Sequence, residues 1–281
     1  MILDGKKLSS EIREEIREEI KIIYEKTGQK PGLAVIIVGE NPASKVYVNS
    51  KIKTCTELGM ISRLHQLSED VEESEILDAI KKLNEDEEID GILVQLPLPP
   101  KFKEANIIEA ISSKKDVDCF THENIGKLFL NDKNSLKPCT PQGIIELLKK
   151  YEIEFLGKKV VIIGRSNIVG KPLALMFINR GATVTVCNSH TQNLGEITKE
   201  ADILISAVGK AKFITSEMVK SGAVVVDVGI NRVEGKLVGD VDFENVCKKT
   251  SHITPVPGGV GPMTIARLMK NTLEAFKNNR G

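Results

Sequence analysis

Ser44, Tyr47 and Lys51 bring a hydroxyl, an aromatic ring and an amine into one short string, NPASKVYVNSK, residues 41–51. At i, i+3 and i+7 they fall on one face of a helix. Asn41 can cap that helix, and Pro42 suits its first turn, where a missing N–H costs nothing. The string follows an apolar run, so the three groups line up at the mouth of a strand, where open α/β sheets bind ligands. An amine in a partly dry pocket has a lowered pKa and can exchange protons near neutrality. The same spacing also describes an ordinary half-exposed face with a snorkelling lysine.

Two further strings bear on that choice. Gln95 is the one amide in the apolar string ILVQLPLP and needs hydrogen-bond partners if buried. Lys51, on the helix after a neighbouring strand, is a candidate partner. Asp116 and Asp118 follow in KKDVDCF. A carboxylate at a pocket mouth can accept paired N–H donors from an amino-heterocycle, although acids in loops are more often simply solvated.

A second chemistry is written in VVIIGRSNIVGKP, residues 160–172. A strand runs into a turn at Gly164, and Gly170 with Pro172 opens a helix whose N–H groups can receive a pyrophosphate. Ser166 and Val169 stand where a dinucleotide fingerprint has its second and third glycines. The next strand ends Cys187-Asn188-Ser189-His190 with no acid for a ribose hydroxyl, and Arg165 lies in the first loop. A missing acid beside a cation favours a 2′-phosphate, hence NADP. ITPVPGGVGPMT, residues 253–264, is a rigid loop that lines a site, joins domains, or does both.

Several elements must position these groups. Leu8, Ile12, Ile16, Ile20 and Ile23 predict an amphipathic helix. Strands are expected at 33–39, 61–67 and 91–100, with helices between them at about 42–58 and 73–84. Strand–helix alternation implies a parallel sheet with right-handed crossovers. Residues 101–137 read as a short helix and a loop-rich connection, followed by a helix over 140–151. The alternation restarts with strands at 158–164, 182–187, 201–209 and 222–229, a nucleotide-binding type of unit. The last segment is helical, with an apolar stripe at Ile265, Leu268, Met269, Leu273 and Phe276, and the pattern alone does not say where it packs.

Composition narrows the partners. Lys plus Arg and Asp plus Glu both total 39, so phosphate neutralisation of a nucleic acid is not expected. There is no tryptophan to serve as a stacking platform. The five cysteines are scattered, which fits a reducing cytoplasm rather than a disulfide framework. Cys119 and His122 have a loose ligand spacing without a second pair, so no metal is expected. The charged N-terminus lacks the apolar core of a secretory signal, and no apolar run approaches membrane-spanning length.

Taken together, VGENPASKVYVNSK, DGILVQLPLP, KDVDCF, PCTPQG, GRSNIVGKP, ATVTVCNSHT, GAVVVDVGIN, GDVDF and TPVPGGVGPMT stand in an order found in one family. The chain resembles the bifunctional methylenetetrahydrofolate dehydrogenase/methenyltetrahydrofolate cyclohydrolases almost end to end. The resemblance implies an α/β protein of two parallel-sheet domains with a cleft between them. A folate-binding catalytic domain would take residues 1–138 plus 263–281, and a Rossmann-type NADP domain residues 139–262. It implies proton handling by Lys51, tuning by Gln95, pterin stacking on Tyr47 beside Ser44, and pterin anchoring by Asp118. Pro257, Gly258 and Gly259 would line the folate cleft. Gly164, Arg165, Ser166, Ser189, His190 and Ile230 would hold the dinucleotide. A cytoplasmic homodimer in one-carbon metabolism, serving purine biosynthesis, is also implied.

Four residues depart from the family's habit. Cys119 stands where glycine usually follows the aspartate, Asn188 replaces a histidine, His190 an arginine or lysine, and Ala211 a proline. Two rival readings use the same residues: another two-domain NADP reductase of the shikimate type, and a dinucleotide sensor that kept the fold without the chemistry. The presence of both Lys51 and Gln95 argues against the sensor.

Overall fold

The structure is a computed structural model that describes residues 1–280, with Ala43 by its backbone only. The chain forms two compact units. One comprises Glu11–Cys139 and the chain from Ile265 on, and the other Met1–Ser10 and Thr140–Thr264. The first ten residues, expected with the folate-binding domain, therefore group with the second unit. Backbone pairing is the reason: Leu3 N–H donates to Ile253 O at 2.8 Å, and Ile253 N–H to Met1 O at 3.0 Å.

Helix α1 (Gly5–Thr27) buries Leu8, Ile12, Ile16 and Ile20 of the expected stripe, while Ile23 is only partly buried. The sheet of the first unit contains β1 (Gly32–Val38), β2 (Ile61–Leu67) and β3 (Gly91–Val94), all parallel in the order β2-β1-β3. Helix α2 (Pro42–Glu57) follows β1, and α3 (Glu73–Glu85) lies between β2 and β3 in sequence. Ala34, Ile36 and Val38 on one face of β1 pack into a cluster with Ile76, Ile80 and Leu83 of α3 and Ile92 and Val94 of β3. Full burial of Ile76 or Ile80 contributes about 1.5–3 kcal/mol each.

Strand β3 stops at Val94, well short of the span expected from its apolar run. Gln95 N–H makes a last ladder bond to Ile36 O at 2.8 Å, and the chain then turns through Pro97. Short helix α4 (Glu104–Glu109) follows. The segment read as loop-rich contains a further helix, α5 (His122–Phe129), held by burial of Asn124 and Leu128 one turn apart.

Helix α6 (Cys139–Lys150) leads to the second sheet. Its strands are β4 (Lys159–Ile163), β5 (Thr183–Cys187), β6 (Ile203–Ser206) and β7 (Val224–Asp227). Helices α7 (Gly170–Ile178) and α8 (Leu194–Lys199) fall between them in sequence. A small antiparallel hairpin, β8 (Asn231–Val233) and β9 (Lys236–Val238), comes next, then α9 (Phe243–Val246) and β10 (His252–Ile253). The five-stranded sheet is parallel throughout, in the order β10-β7-β6-β4-β5. The reversal beside β4 is the switch point at which doubly wound sheets bind ligands.

The last helix, α10 (Val260–Arg280), buries Leu268, Met269, Leu273 and Phe276. Its final turn is tied to the start of β3, where the Arg280 guanidinium donates to both oxygens of Asp90 at 2.8 and 3.0 Å.

Candidate active site

Helix α2 begins as its sequence requires. The Asn41 side-chain oxygen accepts from Ser44 N–H at 3.1 Å, and Pro42 occupies the first turn. This capping fixes the start of the helix and so the face carrying Ser44, Tyr47 and Lys51. Ser44 and Lys51 are buried, 7% and 8% exposed, while Tyr47 is half-buried. Burial pushes the Tyr47 phenol up from its ordinary value.

The Lys51 amine donates to the Gln95 carbonyl oxygen at 3.0 Å. Gln95 Nε2 donates to the Leu96 carbonyl at 2.6 Å. A backbone carbonyl can only accept, so Leu96 turns the NH₂ end of the amide toward itself and leaves the oxygen facing Lys51. Burial pulls the Lys51 pKa down, and the negative charge of Asp118 works against that by raising it. Lysine, amide and carboxylate are thus brought into one electrostatic neighbourhood.

Asp118 reaches it along a held segment. Ile92 N–H donates to Lys115 O at 2.7 Å, and residue 116 makes a parallel bridge with Ile92, so this stretch runs beside β3 toward its carboxyl end. Asp116 is buried, and its carboxylate accepts from Cys119 N–H at 2.8 Å, Thr121 N–H at 2.9 Å, the Thr121 hydroxyl at 2.8 Å and Asn124 Nδ2 at 2.9 Å. On the other side, Asn271 Nδ2 of α10 donates to Val117 O at 2.8 Å. Of the two acids in KDVDCF, Asp116 thus holds the loop and Asp118 is the one presented.

Cys119 carries the cost of this turn. Its φ is 61°, in the left-handed region that favours glycine, and its side chain is fully buried. Cys139, at the start of α6, was not singled out from the sequence. Its thiol donates to Val117 O at 3.3 Å. Burial first, then the Asp118 charge, push its pKa well above the ordinary thiol value. It is a neutral thiol packed behind the acid.

The second unit carries the dinucleotide candidates. Gly164 turns the chain at φ 123°, and a Cβ there would lie 2.4 Å from Ala207 O. A Cβ on Gly170 would lie 2.0 Å from Gly164 O. Both positions need glycine, and the close turn aims the first N–H groups of α7 at whatever occupies the strand mouth. The Ser166 hydroxyl accepts from the N–H groups of Val169 and Gly170 at 3.2 and 3.4 Å, which caps α7 and leaves its own proton to donate. Arg165 is exposed in the same turn.

Beyond β5, Asn188 folds a polar turn: its N–H donates to the Thr191 hydroxyl at 2.9 Å, and its side-chain oxygen accepts from His190 N–H at 3.0 Å. That turn exposes Ser189 and His190. Ile230 is exposed after β7. These residues share the carboxyl edge of the sheet, the edge where a dinucleotide fits. Pro257 and Gly258 belong to the loop before α10. There Gly258 has φ 108° and its carbonyl accepts from Lys6 N–H at 2.8 Å, while a Cβ on Gly259 would meet Pro255 O at 2.6 Å.

Comparison with known proteins accounts for both halves. Residues 3–118 match the family described as "Tetrahydrofolate dehydrogenase/cyclohydrolase, catalytic domain", and residues 138–280 match its "NAD(P)-binding domain". The chain belongs to the tetrahydrofolate dehydrogenase/cyclohydrolase family. The bifunctional protein FolD of Fusobacterium nucleatum is 54% identical over 281 residues, covering 100% of this chain and 99% of that one. The FolD crystal structure from Campylobacter jejuni superposes with a TM-score of 0.97 at 52% identity, covering 99% of each chain. The Trypanosoma brucei enzyme, complexed with NADP cofactor and inhibitor, gives 0.97 at 37% identity over 100% of this chain and 99% of that one. Against other members of the family, the expectation of two α/β domains with parallel sheets holds.

Proposed function

We infer that this chain oxidises 5,10-methylenetetrahydrofolate to the 5,10-methenyl form with NADP⁺ and hydrolyses that product to 10-formyltetrahydrofolate. The observation that carries the reading is the buried Lys51 amine held at 3.0 Å from an amide oxygen that Leu96 has oriented. Family membership over nearly the whole chain supplies the substrate class.

The dinucleotide supplies a hydride acceptor. Oxidation then needs mainly that the folate be held still, and Tyr47, Ser44 and Asp118 are assigned that work. The Tyr47 ring gives a flat face for the pterin, and the Asp118 carboxylate takes its paired N–H donors. Pro257, Gly258 and Gly259 are assigned to the folate by likeness to the family alone.

Hydrolysis needs more. A water oxygen bonds to the methenyl carbon and gives up both its protons as the formyl C=O forms: one goes to the ring nitrogen as the bond from that carbon to it breaks, and the other is released. Lys51 is suited to both transfers because burial lowers its pKa toward neutrality while Asp118 keeps the protonated form accessible. Gln95 holds the amine in place without adding charge.

NADP over NAD is supported by the exposed Arg165 and by the absence of an acid at the end of β5. A homodimer is proposed through the second unit. There β5 is an edge strand with Thr183, Thr185 and Val186 exposed, a state that parallel sheets avoid by being covered. Sedimentation at micromolar concentration should give a dimer, and Val186→Lys a monomer. A cytoplasmic location fits five free cysteines. The described residues contain no helix long and apolar enough to cross a membrane.

Mixing the protein with methylenetetrahydrofolate and NADP⁺ and following reduced-cofactor absorbance tests the oxidation half of the reading, and the disappearance of added methenyltetrahydrofolate tests the hydrolysis. No absorbance rise with this substrate, or turnover of a carboxylated substrate lacking a pterin instead, would sink it.

A further inference from the structure

The GDVDF string places a carboxylate, Asp240, that none of the assigned roles uses. It is fully buried, yet it lies at the carboxyl edge of the second sheet rather than in its core. Its Oδ2 accepts from Val208 N–H at 2.8 Å, Gly209 N–H at 3.2 Å and the Ser206 hydroxyl at 3.3 Å. Its Oδ1 accepts from Lys210 N–H at 2.9 Å and Asn231 Nδ2 at 3.0 Å. One side chain therefore gathers the turn after β6 and reaches the segment after β7.

A second buried carboxylate braces it. Asp227, the last residue of β7, accepts from Gly229 N–H and Asp240 N–H on Oδ1, both at 2.9 Å, and from Val241 N–H on Oδ2 at 2.8 Å. Burial pushes the Asp227 carboxyl up to about 6, while the three backbone N–H groups it accepts from pull the other way and favour its ionised form. The backbone is shaped to admit both acids. A Cβ on Gly229 would stand 2.1 Å from Asp240 Oδ1, and one on Gly239 1.9 Å from Asp227 Oδ2. Burying two carboxylates side by side is expensive unless every acceptor is used.

The position of these turns gives the cost a purpose. β4 has β5 on one side and β6 then β7 on the other. In doubly wound sheets the first turn takes the pyrophosphate and the end of the second strand takes the adenosine ribose. The turns after β6 and β7 therefore fall to the nicotinamide half. The turn after β6 also touches the pyrophosphate turn. In a trans peptide the C=O points opposite the N–H, so drawing Val208 N–H onto Asp240 turns Ala207 O away from it, and that oxygen is the atom packed against Gly164.

We propose that Asp240 is a positioning residue for the dinucleotide, its carboxylate fixing the turns at 207–210 and 229–231 on which the nicotinamide half rests. The inference rests on the NADP-dependent reading above.

Asp240→Asn would set an NH₂ against backbone N–H groups. Calorimetric titration with NADP⁺ should then show binding weakened by about tenfold or more, with a matching rise in the NADP⁺ KM. Hydrolysis of added methenyltetrahydrofolate, which takes no cofactor, should stay within about twofold of the parent. Unchanged NADP⁺ affinity, or both activities falling together, would overturn the role. If Asp240→Asn does not fold, Asn231→Ala removes a single donor, and unchanged NADP⁺ affinity in that variant overturns it as well. A parent protein that binds NADP⁺ but lacks both activities would fail the functional reading alone, and the titration would still decide the role of Asp240.

Discussion

Gln95 accepts a hydrogen bond from Lys51 at 3.0 Å while its own NH₂ is held by the Leu96 carbonyl at 2.6 Å. The amide is therefore a fixed, uncharged acceptor for a buried amine. Its neutrality matters, because burial lowers the Lys51 pKa and any added negative charge would reverse that.

Gln95→Glu keeps the shape and adds the charge. The folded-state pKa of Lys51 should rise, so more of the amine is protonated at neutral pH. The pH–rate curve for methenyl hydrolysis should move to higher pH by about one unit or more, with neutral activity down about tenfold. A superimposable pH–rate curve would show that Gln95 does not tune the lysine.

Asp118→Ala removes the carboxylate assigned to the pterin. A charge-assisted hydrogen bond contributes about 1.5–3 kcal/mol, so the folate KM should rise by about tenfold or more. Asp118 also raises the Lys51 pKa, so its loss should move the acidic limb of the hydrolysis profile to lower pH. Steady-state kinetics across pH checks both, and an unchanged KM would remove Asp118 from substrate binding.

Cys119 occupies a left-handed conformation at φ 61° inside the loop that carries Asp118. Cys119→Gly relieves that strain and leaves a thiol-sized gap, two effects of about 1 kcal/mol that oppose each other. Stability and folate KM should therefore stay close to the parent. Cys119→Val places a β-branched residue where the backbone forbids it and should destabilise by about 2 kcal/mol or more. Denaturant unfolding separates the two variants, and equal midpoints would mean that the turn is not under strain.

What could be read in the sequence was local. The face of α2 follows from a spacing within one helix, and its Asn41 cap forms as written. The strand mouths follow from apolar runs ending in Gly39 and Gly164. Contacts between distant residues were not legible. Nothing near KDVDCF announces that Asn271 will clasp Val117 O, or that Asp116 will spend its lone pairs on Thr121 and Asn124. Helix α5 was hidden because it buries only Asn124 and Leu128, too short a stripe to show a period. The β8–β9 hairpin did leave a signal: Glu234 and Gly235 form a two-residue loop with φ 50° and 79°, the positive pair that joins tight hairpins.

Lys51→Met removes the amine and keeps the length of the side chain in its buried slot. Hydrolysis of methenyltetrahydrofolate should fall by about a hundredfold or more, the usual contribution of a positioned acid–base group. Oxidation of methylenetetrahydrofolate, in which Tyr47 and Asp118 are assigned the positioning, should keep most of its rate. Measuring both rates on the same folded Lys51→Met sample settles the division of labour: loss of hydrolysis alone is the expected result, and hydrolysis at the parent rate would show that Lys51 does not move the protons.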